Sequence, residues 1–406
     1  MKLRSSDILT LLLLTALSAL MLQSCTYHDK VIIDERPSAI VMGVSSVATK
    51  GVVEGNSGTA RLENLVGQCF DGSDNLKENA GFGVYGYKKV VDKSSILFDN
   101  TQVYPLEKNP ATAWTYYPIR FWDLTASYQF IAYWPLLPDV TQADAPYVIV
   151  PEPDNPKDVT EDEKVLTIYN IPNWQRANTG DDPIDYMTAT SIGSYQANYA
   201  YDNGVVHMTF GHLLSQLILV GYYIGIEENK VTIKSIKLNG VRIPVPNGKS
   251  TYTQSFDEQV DPSFDITKAD NVEHMLYAPQ SPATGMVLPE DTYYDIVTGK
   301  NKDYGDDPIT QPITRWLVVP STGWGNITLD VLYSIEGVAT FKSTVTGISF
   351  TSNDGTNERP GEMLSGKTYI LTLRFDSSGG GIDVKTVWVN QWQQAPNPIN
   401  HEVYNW

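Results

Sequence analysis

The sequence predicts an all-β protein made of antiparallel β-sandwiches, two of them in tandem. Three observations carry this. The 406 residues include 24 tyrosines, 9 tryptophans, 30 glycines and 24 prolines, which is the composition of strands joined by turns. Several segments alternate apolar and polar residues with a period of two, the mark of a half-buried strand. No segment sustains a helical period, and many short strands with turn-rich connections favour sandwiches over a parallel sheet flanked by helices.

The elements follow in chain order. Behind Lys2 and Arg4, the apolar run from Ile8 to Leu22 is short of the roughly 20 residues a membrane span needs, and it has the proportions of a secretory signal peptide over residues 1–24. Leu22-Gln23-Ser24-Cys25 closes that run as a lipobox does, which marks Cys25 for lipid attachment through a thioether. Acyl chains at about 0.8 kcal/mol per buried methylene then hold a soluble domain on a membrane. Residues 25–37 are read as a linker behind the lipid. In "SAIVMGV" (38–44), Ile40, Met42 and Val44 share one face of a first strand. The glycine-bearing, polar stretch after it reads as an exposed loop, and Lys50 and Arg61 are the only basic residues between Arg36 and Lys77.

"GFGVYGYKKVV" (81–91), "SYQFIAYWP" (127–135), "VVHMTF" (205–210) and "LILVGYYIGI" (217–226) are β-branched and aromatic, hence strands. Between Gly211 and Ser215 the apolar face switches parity, which predicts a bulge, and "VTIKSIKLNGV" slips in the same way between Ile233 and Ile236. The two prolines of "RIPVPNG" (242–248) make the best linker candidate, giving domains over 38–245 and 246–406. Late in the chain, Ile327, Leu329, Val331, Tyr333 and Ile335 form one face, as do Tyr369, Leu371, Leu373 and Phe375, with Thr372, Arg374 and Asp376 pointing away. The turn signal at 377–381 makes 369–392 a hairpin.

Composition and motifs narrow the function. A formal charge of −18 disfavours nucleic acid and anionic lipid as partners. With Cys25 lipidated, Cys69 has no disulfide partner. His207 and His212 fall on opposite faces of a regular strand and read as structural. HExxH, CxxC, P-loop and GxSxG motifs are absent, and "GFGVYG" lacks the helix start a phosphate loop needs. The cluster Asp181-Asp182-Pro183-Ile184-Asp185 lacks the ligand spacing of a calcium loop and reads as a solvated turn. No pair of carboxylates stands out for hydrolysis. No enzyme, cofactor or metal is therefore expected. In "AWTYYPIRFWDL" (113–124), Trp114, Tyr116 and Pro118 share a face expected to be core, with Tyr117 on the other; an exposed platform for sugars is the alternative.

In order, "GFGVYGY", "WTYYPIRFWDLTASYQFIAYWP", "DYMTAT", "VHMTFGHLLSQL", "VTIKSIKLNGV", "MLYAPQ" and "LSGKTYILTLRF" with "GIDVKTVWVNQW" resemble the fimbrillin-like lipoproteins of the Bacteroidetes, the subunits of type V pili. The resemblance spans residues 38 to 392. It implies two transthyretin-like or Ig-like β-sandwich domains and export as an outer-membrane lipoprotein, with palmitate among the acyl groups. It also implies trimming by a trypsin-like surface protease, loss of the first strand, and filling of the vacated groove by a strand from another fimbrial subunit, identical or paralogous. On that pattern Lys50 and Arg61 are the cleavage candidates, and Ile40, Met42 and Val44 are the side chains that plug the groove. In the tail "QQAPNPINHEVYNW", Pro396 and Pro398 cannot donate to a ladder, so only the last six residues suit a donor strand. Stalk, tip and anchor roles stay open, as does a non-polymerising surface lipoprotein that binds glycan or host ligand.

Overall fold

Alternating and aromatic segments become strands throughout the computed structural model of the chain. It describes residues 38–44, 65–66, 68–91, 93–108, 114–150, 165–176, 183–194, 204–224, 229–244, 248–256, 263–264, 269–279, 285–288, 294–295, 300–301, 312–353, 358–376 and 382–391. The first large sheet has six strands in the order Gly211–His212, Met187–Ser194, Ser127–Trp134, Phe82–Val90, Lys93–Pro105, Trp114–Thr115. Both of its faces are covered. Phe82, Val84, Phe130, Ala132 and Trp134 point into one core, while Tyr85, Tyr87, Ile131 and Tyr133 point into another. The first core is closed by a two-stranded sheet of Val41–Val44 and Val205–Met208. The second is closed by four strands, Ser263–Phe264, Lys249–Ser255, Val165–Pro172 and Tyr147–Ile149.

Burial on both faces explains the glycines of "GFGVYGY". A Cβ on Gly83 would lie 2.2 Å from the Tyr133 hydroxyl, and one on Gly86 would lie 2.8 Å from the Phe98 ring. Each glycine makes room for an aromatic ring on a different face of one strand.

A third core belongs to a sandwich of two five-stranded sheets. One runs Ile382–Gln391, Lys367–Asp376, Ser215–Ile224, Pro312–Val318, Trp174–Arg176; the other runs Ala269–Tyr277, Val231–Pro244, Ile327–Ile335, Ala339–Ile348, with Met286–Val287 also on Val231–Pro244. The predicted faces are present: Ile327, Leu329, Val331, Tyr333 and Ile335 meet Tyr369, Leu371, Leu373 and Phe375 in this core. Lys367–Asp376 and Ile382–Gln391 form the expected hairpin.

The ladders add detail to these expectations. Arg374 is buried, because Lys367–Asp376 is an interior strand of its sheet. Two pairs in the otherwise antiparallel sheets are parallel: Val41–Val44 with Val205–Met208, and Ser215–Ile224 with Lys367–Asp376. The parity switch at Gly211–Ser215 is a change of sheet. Gly211–His212 ends on the first sheet, and Ser215 begins a strand of the third core's sandwich. The slip after Ile233, by contrast, is a bulge against Ile327–Ile335. Between Pro244 and Lys249 the chain passes from one sheet to another. Ser215–Ile224 and Val231–Pro244 pair with strands beyond residue 300, while Lys249–Ser255 returns to Val165–Pro172.

Candidate functional site

The first strand is short, yet every one of its edges is used. Alternation sends Ile40 and Met42 (each 1% exposed) and Val44 (9%) into the first core, while Val41 stays 42% exposed. Along one edge the strand pairs in parallel, Val41 opposite Val205 through Val44 opposite Met208. Along the other edge it meets residues 116–121. Ala39 bridges Phe121, and the Ile40 N–H donates to the Arg120 carbonyl at 2.9 Å. The Tyr116 hydroxyl donates to the Ile40 carbonyl at 2.6 Å. Burial raises the Tyr116 phenol above its ordinary value, so the group stays protonated and available as a donor.

Together these neighbours form a groove. One wall is Val205–Met208 and the other is the 116–122 segment. The two walls are tied together by the Trp122 indole N–H, which donates to the Gly204 carbonyl at 3.2 Å. Phe82, Phe98, Phe130, Trp114 and Phe210 belong to the same core, with Phe82 5.3 Å from Trp114 and 5.1 Å from Phe210, centroid to centroid. Such a cleft binds an extended chain by main-chain pairing and by apolar side chains at alternate positions.

Of the residues singled out in the sequence, Ile40, Met42 and Val44 come together in this core. Cys25, Lys50 and Arg61 lie outside the described residues, as do Asp181, Asp182 and the tail after residue 391. Sequence reasoning missed the hydroxyl of Tyr116 and the carbonyl of Arg120, because hydrogen bonding to a distant backbone leaves no pattern in the chain. The expected face of Trp114, Tyr116 and Pro118 also needs correction. Trp114 and Tyr116 are buried, but the chain turns outward after Tyr116, leaving Pro118 exposed together with Tyr117 (85%) and Phe121 (58%).

The other candidates have structural surroundings. His212 is buried and its Nδ1 lies 2.6 Å from Asp185 Oδ2, whereas His207 is exposed. Cys69 is buried and free, its thiol pushed up to about 12 by desolvation, and it donates to the Leu65 carbonyl. Among the described residues no group of histidine, cysteine and carboxylate side chains is arranged to hold a metal.

A family model described as fimbrillin-like matches residues 71–392. Among solved structures, a fimbrial protein from Bacteroides vulgatus is similar at 16% identity and a TM-score of 0.48, over 87% of this chain and 99% of that one. The fimbrial anchor protein Mfa2 from Porphyromonas gingivalis is similar at 14% identity and a TM-score of 0.30, over 88% of this chain and 98% of that one. No curated protein matches.

Proposed function

The chain belongs to the fimbrillin-like family, and from that premise we propose that it is a non-enzymatic fimbrial subunit of the cell surface, assembled by strand exchange. In this reading it is exported as a lipoprotein anchored at Cys25 in the outer membrane. A trypsin-like surface protease then cuts after Lys50 or Arg61, releasing the first strand with its lipid. A strand of another fimbrial subunit, a second copy or a paralogue, takes its place.

The observation that carries this reading is the seating of Ile40, Met42 and Val44. Burying three such side chains contributes about 1.5–3 kcal/mol each, so the strand is an integral part of the core. Its hold on the groove nevertheless depends on covalent continuity through residues 45–64. While the chain is intact, the strand docks intramolecularly at high effective concentration. Once cut, it is a separate peptide diluted into the membrane, and its departure uncovers apolar side chains and unpaired backbone groups. That is an open template for strand addition. The replacement joint persists because it comes apart only by stripping out a whole strand.

The exposure of Tyr117 and Phe121 favours a second reading, in which a stationary surface lipoprotein holds glycan or host ligand on these rings. Mass spectrometry of the N-terminus of protein sheared from its native surface decides between them. A start at Gly51 or Leu62 is expected for strand exchange. A population that keeps an acylated Cys25 throughout refutes release of the first strand and leaves an anchor or a stationary binder.

A further inference from the structure

We propose that the 116–121 segment is a register clamp, in which Tyr116 and Arg120 grip both main-chain polar groups of a single residue in whichever strand fills the groove. The proposal rests on the strand-exchange reading and names what the groove demands of the incoming strand.

The need for such a device follows from the ladder. A strand seated against Val205–Met208 is fixed by side-chain alternation only to within two residues. A slip of one turns every apolar side chain outward, but a slip of two keeps the correct faces inward. The ladder's hydrogen bonds repeat and are equally satisfied after that slip. A feature that occurs once is required to break the degeneracy, and the other wall supplies one. Ile40 gives its N–H to the Arg120 carbonyl and receives the Tyr116 O–H on its own carbonyl, while its side chain is buried.

Tyr116 and Trp122, both buried, anchor the two ends of this segment in the core, so the clamp is held by the body of the fold. The Arg120 N–H donates to the Tyr116 hydroxyl at 3.3 Å, which links the two halves of the grip. The grip touches main chain alone, so it accepts many sequences and rejects one residue. Proline has no N–H to offer Arg120. The partner is therefore an extended strand with an apolar, non-proline residue at the clamp, followed by apolar residues two and four positions later, the spacing of Ile40, Met42 and Val44.

The first test uses the uncut full chain. Hydrogen exchange of residues 38–44 is followed by mass spectrometry in wild type and Y116F. Loss of the hydroxyl removes its bond to the Ile40 carbonyl and the one it accepts from the Arg120 N–H, and raises exchange there by a factor of at least about 5, with residues 127–134 unchanged. Unchanged exchange at 38–44, or an equal rise at 127–134, overturns the clamp. In the second test, trypsin-treated full chain is offered fluorescent peptides with the sequence of residues 38–44, with and without proline in place of Ile40. Wild type is expected to take up the first at least about tenfold better than the second, and equal uptake overturns the clamp. Uptake of neither peptide sinks the exchange reading while the hydrogen-exchange result still judges the clamp.

Discussion

Met42 offers the sharpest test of how the first strand is bound to the fold. Replacing it by alanine removes the thioether arm of a side chain that is almost wholly buried among the aromatic rings of the first core. At about 0.8 kcal/mol per methylene-sized group, the three lost heavy atoms account for roughly 2.4 kcal/mol. The residual cavity adds to this, for an expected total of about 2–4 kcal/mol. Val41 is the control, because it sits on the same strand with its side chain half in water. V41A is expected to cost about 0.5 kcal/mol or less. Urea unfolding of the full chain reads the global share as a fall in midpoint at constant slope. Because a terminal strand can also open by itself, hydrogen exchange over residues 38–44 reads the local share. If V41A is as damaging as M42A, or if M42A moves neither readout, the inward alternation of this strand is wrong.

G83A drives a Cβ into the buried Tyr133 ring, where the hydroxyl and two ring carbons lie within 2.5 Å of it. The expected cost is about 1–3 kcal/mol, seen as a lower Tm. Y133F does not relieve it, since ring carbons collide as well as the hydroxyl, and full rescue by Y133F refutes the assignment. D185A removes the buried carboxylate 2.6 Å from His212 Nδ1 and is expected to cost about 1–3 kcal/mol. Removing Lys108 from its exposed pair with Asp74 costs under about 1 kcal/mol, and equal Tm losses argue against a buried pair. His274 stacks on Trp174 at 4.1 Å, and burial lowers its imidazole from the ordinary 6.5 to about 4. The unfolded chain therefore takes up that proton first, so stability is intact above about pH 6.5 and declines as pH falls toward 4. H274F is expected to flatten that limb of the stability profile. Asp123, held down to about 2 chiefly by its hydrogen bond to Lys88, acts in a separate window below 3.8.

What could be read from the sequence depended on how many faces each strand buries. Ile327–Ile335 and Lys367–Asp376 alternate because each packs one continuous apolar face into the third core, and their existence and inward sets were plain. Phe82–Val90 is buried on both faces, so its pattern announced a strand without saying which side chains go where. Partners were illegible. Alternation fixes a face and carries no information about which strand lies alongside, and so the parallel match of Ser215–Ile224 with a strand about 150 residues further on left no trace. Two parity slips looked alike in sequence. After Ile233 an extra residue bulges within one ladder, while at Gly211–Ser215 the chain leaves one sheet for another. Leu213 and Leu214, both buried at that crossing, pack in the second core and gave no polar hint of a break. The first strand was legible for its alternation; its clamp was not, because Tyr116 meets Ile40 across 76 residues of chain.

The run from Gly204 to Ile224 also has a mechanical meaning. It begins as the strand that lies against the groove's occupant, crosses the edge of the first sheet, and continues as an interior strand of the last sandwich, flanked by Lys367–Asp376 and Pro312–Val318. A pull on a strand seated beside Val205–Met208 is handed along one continuous backbone into the middle of the far sheet. There it is borne in shear by nine residue pairs with Lys367–Asp376 at once, rather than peeled off one rung at a time. Tension entering at the groove is thus shared by the whole ladder with Lys367–Asp376.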